Sequence, residues 1–451
     1  MWEKFRLKLF KLEKYTYLLE YVLAFFIVAN TYTIWTNKEL TEKLDLIIIL
    51  VCLILLDIFS LNNLLNKPKL ILKTLILSSL LFLYNFIFLI LTPSKVGANG
   101  FIIMFGFILV MLIIYYIDKF NNNNWHGLIL KISNIIFILA TISLVFFVFS
   151  SILKLINPTS NFLLKWGLER EIPSYYNLYY ETQVIKLGNN LIPRNTGIFM
   201  EAPIYNFVLS TSLIIELFFS NIGKFRNIKI VIIVISILTT LSSTGIIVLT
   251  LILLFWFYFN NGIILLNKLK NKIFAKKDRK CIIVTIFTLI IFLLAILLGI
   301  MLLYSKRNSE SLLLRIDDYK VVFRSLKDSF LIGNGYWTTT DQVVKYSSFN
   351  RINDAVGLST GIGQILIDGG IYLAFMYFLP FVYMIIHCIK NKKYKFLLSI
   401  IIFLILLCVT VVPYKGIAVN ILAMSYGATI YLVDLDCKFI SKISNIFKKA
   451  S

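Results

Sequence analysis

The chain has 451 residues, of which 59% are hydrophobic and 15% are charged, and its mean hydropathy is +0.84. This composition excludes a single soluble domain with a polar surface and indicates an integral membrane protein. The formal net charge of +22 does not favour a nucleic-acid partner, because the Lys and Arg residues are scattered in short segments between apolar runs.

Twelve apolar runs follow one another along the chain, and most are long enough to cross a hydrocarbon core of about 30 Å. Because backbone in lipid must satisfy its own hydrogen bonds, we predict an all-α membrane protein. Two of the runs meet at residues 242–245, so one long tilted helix there, and eleven spans in total, is the alternative. The predicted spans are 15–36, 44–65, 70–92, 100–117, 129–156, 202–220, 228–242, 245–260, 281–304, 359–387, 396–412 and 416–434.

The basic residues predict the sidedness of these spans. Lys and Arg are concentrated at the two ends of the chain and in alternate short turns, which the positive-inside rule assigns to the cytoplasm. We therefore expect one multi-pass membrane domain over residues 1–451, in a bacterial cytoplasmic membrane, with both termini cytoplasmic. The most basic turn, residues 261–280, contains Lys268, Lys270, Lys272, Lys276, Lys277, Arg279 and Lys280.

The cysteines predict neither an external disulfide nor a cysteine-rich metal site. All five fall within spans or on the cytoplasmic side of this topology, where thiols stay reduced or buried. We expect no metal and no other cofactor. The five are Cys52, Cys281, Cys388, Cys408 and Cys437.

Two long loops fall on the external side, at residues 157–201 and 305–358, and both are rich in Arg and Tyr. We predict that these loops contain short amphipathic helices and together cap the active site. The second loop carries apolar residues at helical spacing, which predicts an amphipathic helix there. These residues are Leu312, Ile316, Tyr319, Phe323 and Leu326.

Two arginines of the long loops are candidates to bind a diphosphate. Arg194 precedes the span that begins near residue 202, and Arg315 lies beside the apolar stripe of the predicted helix. Guanidinium groups bind phosphate oxygens bidentately and stay charged, so they can stabilise a departing diphosphate without a metal. The ordinary alternative is an ion pair of each arginine, with Glu201 and Asp318 respectively.

A tight turn and neighbouring aromatic rings complete the candidate site. Gly333 and Gly335 flank one residue, and this turn is expected to expose backbone amides. Tyr179, Tyr336 and Trp337 could stack on sugar rings, although an interfacial aromatic belt is the ordinary reading of such residues. A lipid-linked sugar diphosphate has the matching parts: a diphosphate at the interface, a polyprenyl tail among the helices and sugars outside.

Four segments, in their order along the chain, resemble the O-antigen polymerase and ligase superfamily. They are RNTGIFMEAP, the pair of spans around LTTLSSTG, the helix from Arg315 leading into FLIGNG, and the span opening GIGQILIDGGIYLAF. The likeness covers about residues 190–385. It implies a metal-independent C-type membrane glycosyltransferase, inverting at the anomeric carbon, that moves a glycan from undecaprenyl diphosphate to a second glycan. The resemblance also implies that Arg194 and Arg315 hold the diphosphate and that Gly333 and Gly335 shape the turn beside it.

Two departures from the family pattern bear on the activity. Thr244 follows Ser243 where many members have an arginine, so one phosphate ligand is missing. Where the ligases place a histidine ahead of the long span, this chain has Ser359 and Thr360, and its histidines lie on the predicted cytoplasmic side. The resemblance therefore favours a polymerase over a ligase.

The general base is then expected among the external carboxylates. Glu201 is the first candidate, followed by Asp354 and Asp368. The structural alternatives are that Glu201 only neutralises Arg194 and that Asp368 only caps a helix end.

The leading hypothesis is a polymerase that joins undecaprenyl-diphosphate-linked repeat units of a capsule, exopolysaccharide or O-antigen on the outer face of the membrane. Its partners would be membrane lipid and, as a further candidate, a chain-length regulator. A lipid-linked oligosaccharide flippase is the rival transporter, although the two halves of the chain do not resemble one another. A second enzymatic rival would use Glu39, Glu42 and Asp45 as acidic groups on a polyprenyl monophosphate sugar.

Overall fold

The computed structural model describes residues 2–65, 67–94, 97–166, 169–187, 190–220, 224–259, 310–348, 351 and 357–450. The predicted helical fold is confirmed for these residues, where strands are few and short. The predicted span 281–304, the basic turn before it and the candidate base Asp354 lie outside the described residues.

The helices follow the predicted apolar runs. Within the described residues, six helices are long and apolar enough to cross a membrane, which fits a multi-pass membrane protein. They are Glu39–Leu64, Pro68–Leu91, Ala98–Asn121, Gly127–Ile152, Gly361–Lys390 and Gly416–Val433. In chain order the helices are α1 Trp2–Ala29, α2 Glu39–Leu64, α3 Pro68–Leu91, α4 Ala98–Asn121, α5 Gly127–Ile152, α6 Ala202–Phe218, α7 Lys224–Thr239, α8 Ser243–Phe259, α9 Glu310–Asp328, α10 Thr339–Tyr346, α11 Gly361–Lys390, α12 Tyr394–Val409 and α13 Gly416–Ala450.

α7 and α8 are two separate helices, so the alternative of one continuous helix across residues 242–245 is wrong. Leu241, which lies between them, has a left-handed backbone conformation with a φ of 48°. Gly245 lies against Asn206 of α6, and a Cβ atom built on this glycine would stand 2.6 Å from the Asn206 side chain. A glycine at the start of α8 therefore permits the close approach of α6.

The first long loop contains strands where short amphipathic helices were expected. β1 Ser160–Lys165 and β2 Glu169–Tyr175 pair antiparallel, and β3 Tyr179–Tyr180 adds to the other edge of β2. β4 Val184–Leu187 and β5 Asn190–Pro193 form a separate hairpin. The many Arg and Tyr residues of this loop obscure the alternation of apolar and polar residues by which a strand is recognised in a sequence.

The second long loop contains the helices α9 and α10. The predicted apolar stripe of α9 does not face the protein, since Ile316, Tyr319 and Phe323 are all exposed. The buried face instead carries Asp318, whose carboxylate forms an ion pair with Arg351 at 2.7 Å. A buried charge is tolerated there because its partner is buried with it.

The described chain forms two compact units. Unit 1 comprises Met1–Ile132, Asp318–Lys392 and Val412–Ser451, and unit 2 comprises Ser133–Asp317 and Lys393–Val411. In unit 1, α13 packs against α4 and α11, and α2 packs against α1 and α4. In unit 2, α6 packs against α7 and α8, and α12 packs against α6 and α8.

Candidate functional site

Arg194 lies directly after β5, and its guanidinium reaches the break between α7 and α8. Nε donates a hydrogen bond to the backbone oxygen of Thr240 at 2.9 Å, and Nη1 donates to Oε1 of Gln183 at 3.1 Å. The backbone amide of Arg194 donates to the Gln183 carbonyl at 3.0 Å. The guanidinium is thus held in place by two neutral oxygens.

The predicted ion pair between Arg194 and Glu201 is not formed. Glu201 accepts a hydrogen bond from Nε1 of Trp166 at 2.6 Å, and no carboxylate among the described residues pairs with Arg194. Burial lowers the pKa of Arg194 to about 10, while the nearby charge of Glu201 opposes that lowering. A half-buried cation with neutral contacts is an arrangement that an incoming anion would stabilise.

Residues 195–197 are locked between the first loop and the end of α7. The amide of Asn195 donates to the Thr239 carbonyl at 3.1 Å, and its Nδ2 donates to the Thr239 hydroxyl at 3.0 Å. The hydroxyl of Thr196 donates to the carbonyl of Tyr180 at 3.0 Å. Gly197 has a φ of 57°, a left-handed conformation that favours glycine. The RNTG and LTTLSSTG segments, which the sequence showed only in order, are therefore in contact.

Gln183 was not predicted as a functional residue. Its Oε1 accepts hydrogen bonds from both Arg194 and the backbone amide of Ala202, the latter at 3.1 Å. Gln183 thereby ties the guanidinium to the first turn of α6. Nothing in the sequence distinguishes it from the other polar residues of the loop, because its role depends on tertiary contacts.

The predicted partner of Arg315 has other partners. The carboxylate of Asp318 is bound by Arg351 and by the backbone amide of Ser359, at 2.7 and 2.8 Å. Arg315 itself is half-buried in α9. Its role as a diphosphate ligand stays a prediction.

The turn at residues 333–335 does not expose its amides, so that expectation is wrong. The amide of Gly333 donates to the Ser329 carbonyl at 3.1 Å, and the amide of Gly335 donates to the Asp368 carbonyl at 2.8 Å. The amide of Asn334 donates to the Ile367 carbonyl at 2.9 Å. The amides of Asn334 and Gly335 attach the turn to α11, and the amide of Gly333 bonds to the residue that follows α9.

This attachment occurs at a break in α11. Gly370 has φ 58° and ψ −157°, which interrupts the helix and frees backbone groups. Residues 330–335 supply partners, since Ile371 donates to the Phe330 carbonyl at 3.0 Å. A Cβ atom on Gly333 would stand 2.5 Å from the Gly370 amide nitrogen, so glycine is required on both sides of the crossing. The paired glycines of IDGG were the available signal for this broken helix.

Asp368 caps the end of a helix, which was the structural alternative to a catalytic role. The side chain is fully buried, and its Oδ1 accepts hydrogen bonds from the amide of Thr338 and the hydroxyl of Thr339, at 3.2 and 3.0 Å. These groups belong to the first turn of α10, so the carboxylate caps that helix. Its burial keeps it from an acceptor hydroxyl in this structure.

The three candidate stacking residues differ in exposure. Tyr179 is fully buried and shares a hydrogen bond with the Ser151 hydroxyl at 2.9 Å, and Tyr336 is 3% exposed. Neither ring has a face free for a sugar. Trp337 is 40% exposed and remains available to a ligand.

Each of the acidic residues near the start of α2 has a polar partner. Glu39 pairs with Lys43 at the surface, and Asp45 accepts a hydrogen bond from Asn30 at 2.8 Å. Glu42 forms an ion pair with Lys415 at 2.6 Å. Among the described residues no group of His, Cys, Asp and Glu is placed to hold a metal ion.

The candidate residues thus assemble in two places. Arg194 and Glu201 lie near each other in unit 2, whereas the 333–335 turn, Trp337 and Asp368 come together in unit 1. No protein-family model matches this sequence, and no curated protein matches it. Function must therefore be inferred from the chemistry of these two places.

Proposed function

We propose that this protein is a polysaccharide polymerase that joins undecaprenyl-diphosphate-linked oligosaccharide repeat units on the outer face of a bacterial cytoplasmic membrane. The observation that supports it is Arg194, whose guanidinium is fixed by neutral oxygens of Gln183 and Thr240 and pairs with no carboxylate in the described part of the chain. A diphosphate would supply the missing negative charge. Its oxygens match the bidentate geometry of the remaining N–H donors.

The proposed topology has twelve spans with both termini in the cytoplasm. Arg194 and Arg315 then lie on the external side, where a flipped lipid-linked glycan presents its diphosphate. The basic segments at the chain ends and in alternate turns support this orientation.

The proposed reaction is an inverting displacement. An acceptor hydroxyl attacks the anomeric carbon of the donor glycan, the bond from that carbon to the diphosphate oxygen breaks, and undecaprenyl diphosphate leaves with the bonding electrons. Arg194 and Arg315 stabilise the charge that develops on the leaving group. Glu201, which lies near Arg194 and is oriented by Trp166, is the candidate to receive the acceptor proton, and Asp354 is the second candidate.

The test is made in a strain that lacks this protein, complemented with wild type or Arg194→Ala. We expect single repeat units in place of polymer in the variant, with equal amounts of protein in the membrane. Arg226→Ala is the matched control, since the Arg226 guanidinium also donates to two backbone carbonyls, at 2.6 and 2.8 Å, but near the opposite end of α7. Normal polymer in the Arg194→Ala strain would refute the proposal.

A flippase is the second candidate, and buried charges in the spanning helices favour it. Glu20 of α1 pairs with Lys119 and Lys131 at 2.7 and 2.6 Å, and Asp57 of α2 is buried. Such residues often mark a transport path. In the deletion strain, single lipid-linked repeats on the outer leaflet indicate a polymerase and retention on the inner leaflet indicates a flippase. Transfer to a lipid acceptor instead of another repeat would indicate a ligase.

A further inference from the structure

Lys415 occupies an unusual position in unit 1, immediately before α13. Its side chain is almost fully buried, and Nζ pairs with Oε1 of Glu42 at 2.6 Å. The ammonium also lies 4.6 Å from the ring centre of Tyr32 and 5.7 Å from that of Trp337. The lysine charge is therefore already balanced by a carboxylate and two aromatic faces.

Two aromatic residues around Lys415 have left-handed backbone conformations. Trp337 has a φ of 65° and Tyr32 has a φ of 53°. Bulky side chains rarely adopt these values, and such residues cluster at ligand sites, where the surrounding structure holds them. Gly97 leaves room for the indole, because a Cβ atom there would stand 2.8 Å from Trp337 Cδ1.

The residues that precede Trp337 are held firmly by packing and hydrogen bonds. The preceding ring, Tyr336, packs against Tyr414 and Phe101 at centroid distances of 4.9 and 5.3 Å. The amide of Gly335 is bonded to the backbone of α11 at Asp368. An exposed indole on a fixed support loses little conformational entropy when a ligand stacks on it.

We propose that Trp337, Glu42 and Lys415 form a sugar-binding subsite in unit 1 that takes a neutral ring of the acceptor glycan. The indole belongs to a residue that is 40% exposed, and an indole ring suits the C–H face of a pyranose. The Glu42 side chain is 39% exposed, and its second oxygen, which has no partner in the described part of the chain, accepts hydrogen bonds from sugar hydroxyls. Because Glu42 balances the Lys415 charge, the subsite has no excess positive charge for a phosphate. The identity of the ligand as the acceptor glycan rests on the proposed polymerase function.

The test uses single lipid-linked repeats, extracted from the deletion strain, as substrate for membranes that contain the full-length protein. Trp337→Gly removes the ring but suits the left-handed backbone, so thermal stability should be maintained. We expect KM for the repeats to rise about tenfold with a smaller change in kcat. Trp337→Phe should restore most of the affinity, and Glu42→Gln should raise KM less than Trp337→Gly does.

Phe323→Ala is the control, because Phe323 is an exposed aromatic residue of unit 1 outside the subsite. A wild-type KM in Trp337→Gly would overturn the subsite. If that variant fails to insert, a wild-type KM in Glu42→Gln would overturn it instead. Loss of polymer in Arg194→Ala together with a wild-type KM in Trp337→Gly would refute the subsite alone, whereas normal polymer in Arg194→Ala would refute the polymerase.

Discussion

Arg194 in unit 2 and Lys415 in unit 1 are both cations held in place by short polar contacts, yet their surroundings differ. Arg194 is bonded to neutral oxygens of Gln183 and Thr240, whereas Lys415 is paired with Glu42 and flanked by aromatic rings. The first arrangement leaves positive charge for a ligand to neutralise, and the second leaves an indole face and a carboxylate oxygen. Two side chains of equal formal charge therefore lie in sites that are suited to an anion and to a neutral ring, respectively.

The largest expected effect tests the Arg194 side of this comparison. Arg194→Ala should lower the rate of polymerisation by at least 100-fold, because removing one preorganised stabiliser of a developing anion costs about that much. Lys415→Ala should lower it about tenfold, through a rise in KM. Initial rates measured with purified lipid-linked repeats give both numbers. Equal losses in the two variants would show that the sites do not differ in function.

The second prediction concerns the effect of pH on Arg194→Lys. Burial lowers the pKa of Arg194 to about 10, and the same burial would lower the pKa of a lysine at this position below its usual value. The ammonium would be charged at pH values below this lowered pKa and bind the diphosphate, and it would be neutral above it. The ratio of variant to wild-type activity should therefore fall as the pH rises. A ratio that is constant with pH would contradict the buried setting of this side chain.

A third prediction tests the support of the unit 1 site. Gly370→Ala places a Cβ atom 2.6 Å from the Phe330 carbonyl at a φ of 58°, so the crossing cannot close without displacement. We expect the free energy of unfolding to fall by about 2 kcal/mol, measured by thermal unfolding in detergent. Gly100→Ala is the control, since a Cβ there meets only Tyr336 at 3.5 Å. A similar small change in both variants would show that the crossing does not depend on glycine.

The smallest effect separates core aromatics from ligand-binding ones. Tyr179→Phe should lower the free energy of unfolding by about 1 kcal/mol, because it removes the hydrogen bond to Ser151 and leaves the ring packed. Polymer length should be unchanged. Shortened polymer with normal stability would indicate that Tyr179 binds sugar. It would also contradict the distinction between Tyr179 as a core residue and Trp337 as a ligand-binding residue.

The sequence predicted those features that depend on local pattern. Apolar length located the described helices that are long enough to cross a membrane. The motif around Arg194 identified a guanidinium that has no carboxylate partner among the described residues. The partners of Arg194 were not predictable, because Thr240 lies 46 residues away and is brought near only by the break between α7 and α8.

Other failures have the same physical origin. The buried face of α9 was not predictable, since it contains the ion pair of Asp318 with Arg351, a residue 33 positions away. Lys415 was missed, although a lone lysine at the start of an apolar span, opposite the basic turns, departs from the charge pattern. Tyr179 is buried and Trp337 is exposed. This difference in exposure was not predictable, because both aromatic residues lie in similar polar loops.

The crossing of residues 330–335 through the break in α11 also constrains the order of biogenesis. The loop leaves the ribosome before α11 does, and the amides of Asn334 and Gly335 find their carbonyl partners only after Ile367 and Asp368 have been synthesised. The cap that Asp368 provides to the first turn of helix α10 likewise forms only after that later segment has been made. The second long loop is therefore completed late, after α11 has been made, and a ribosome that stalls before residue 368 leaves it without its anchor.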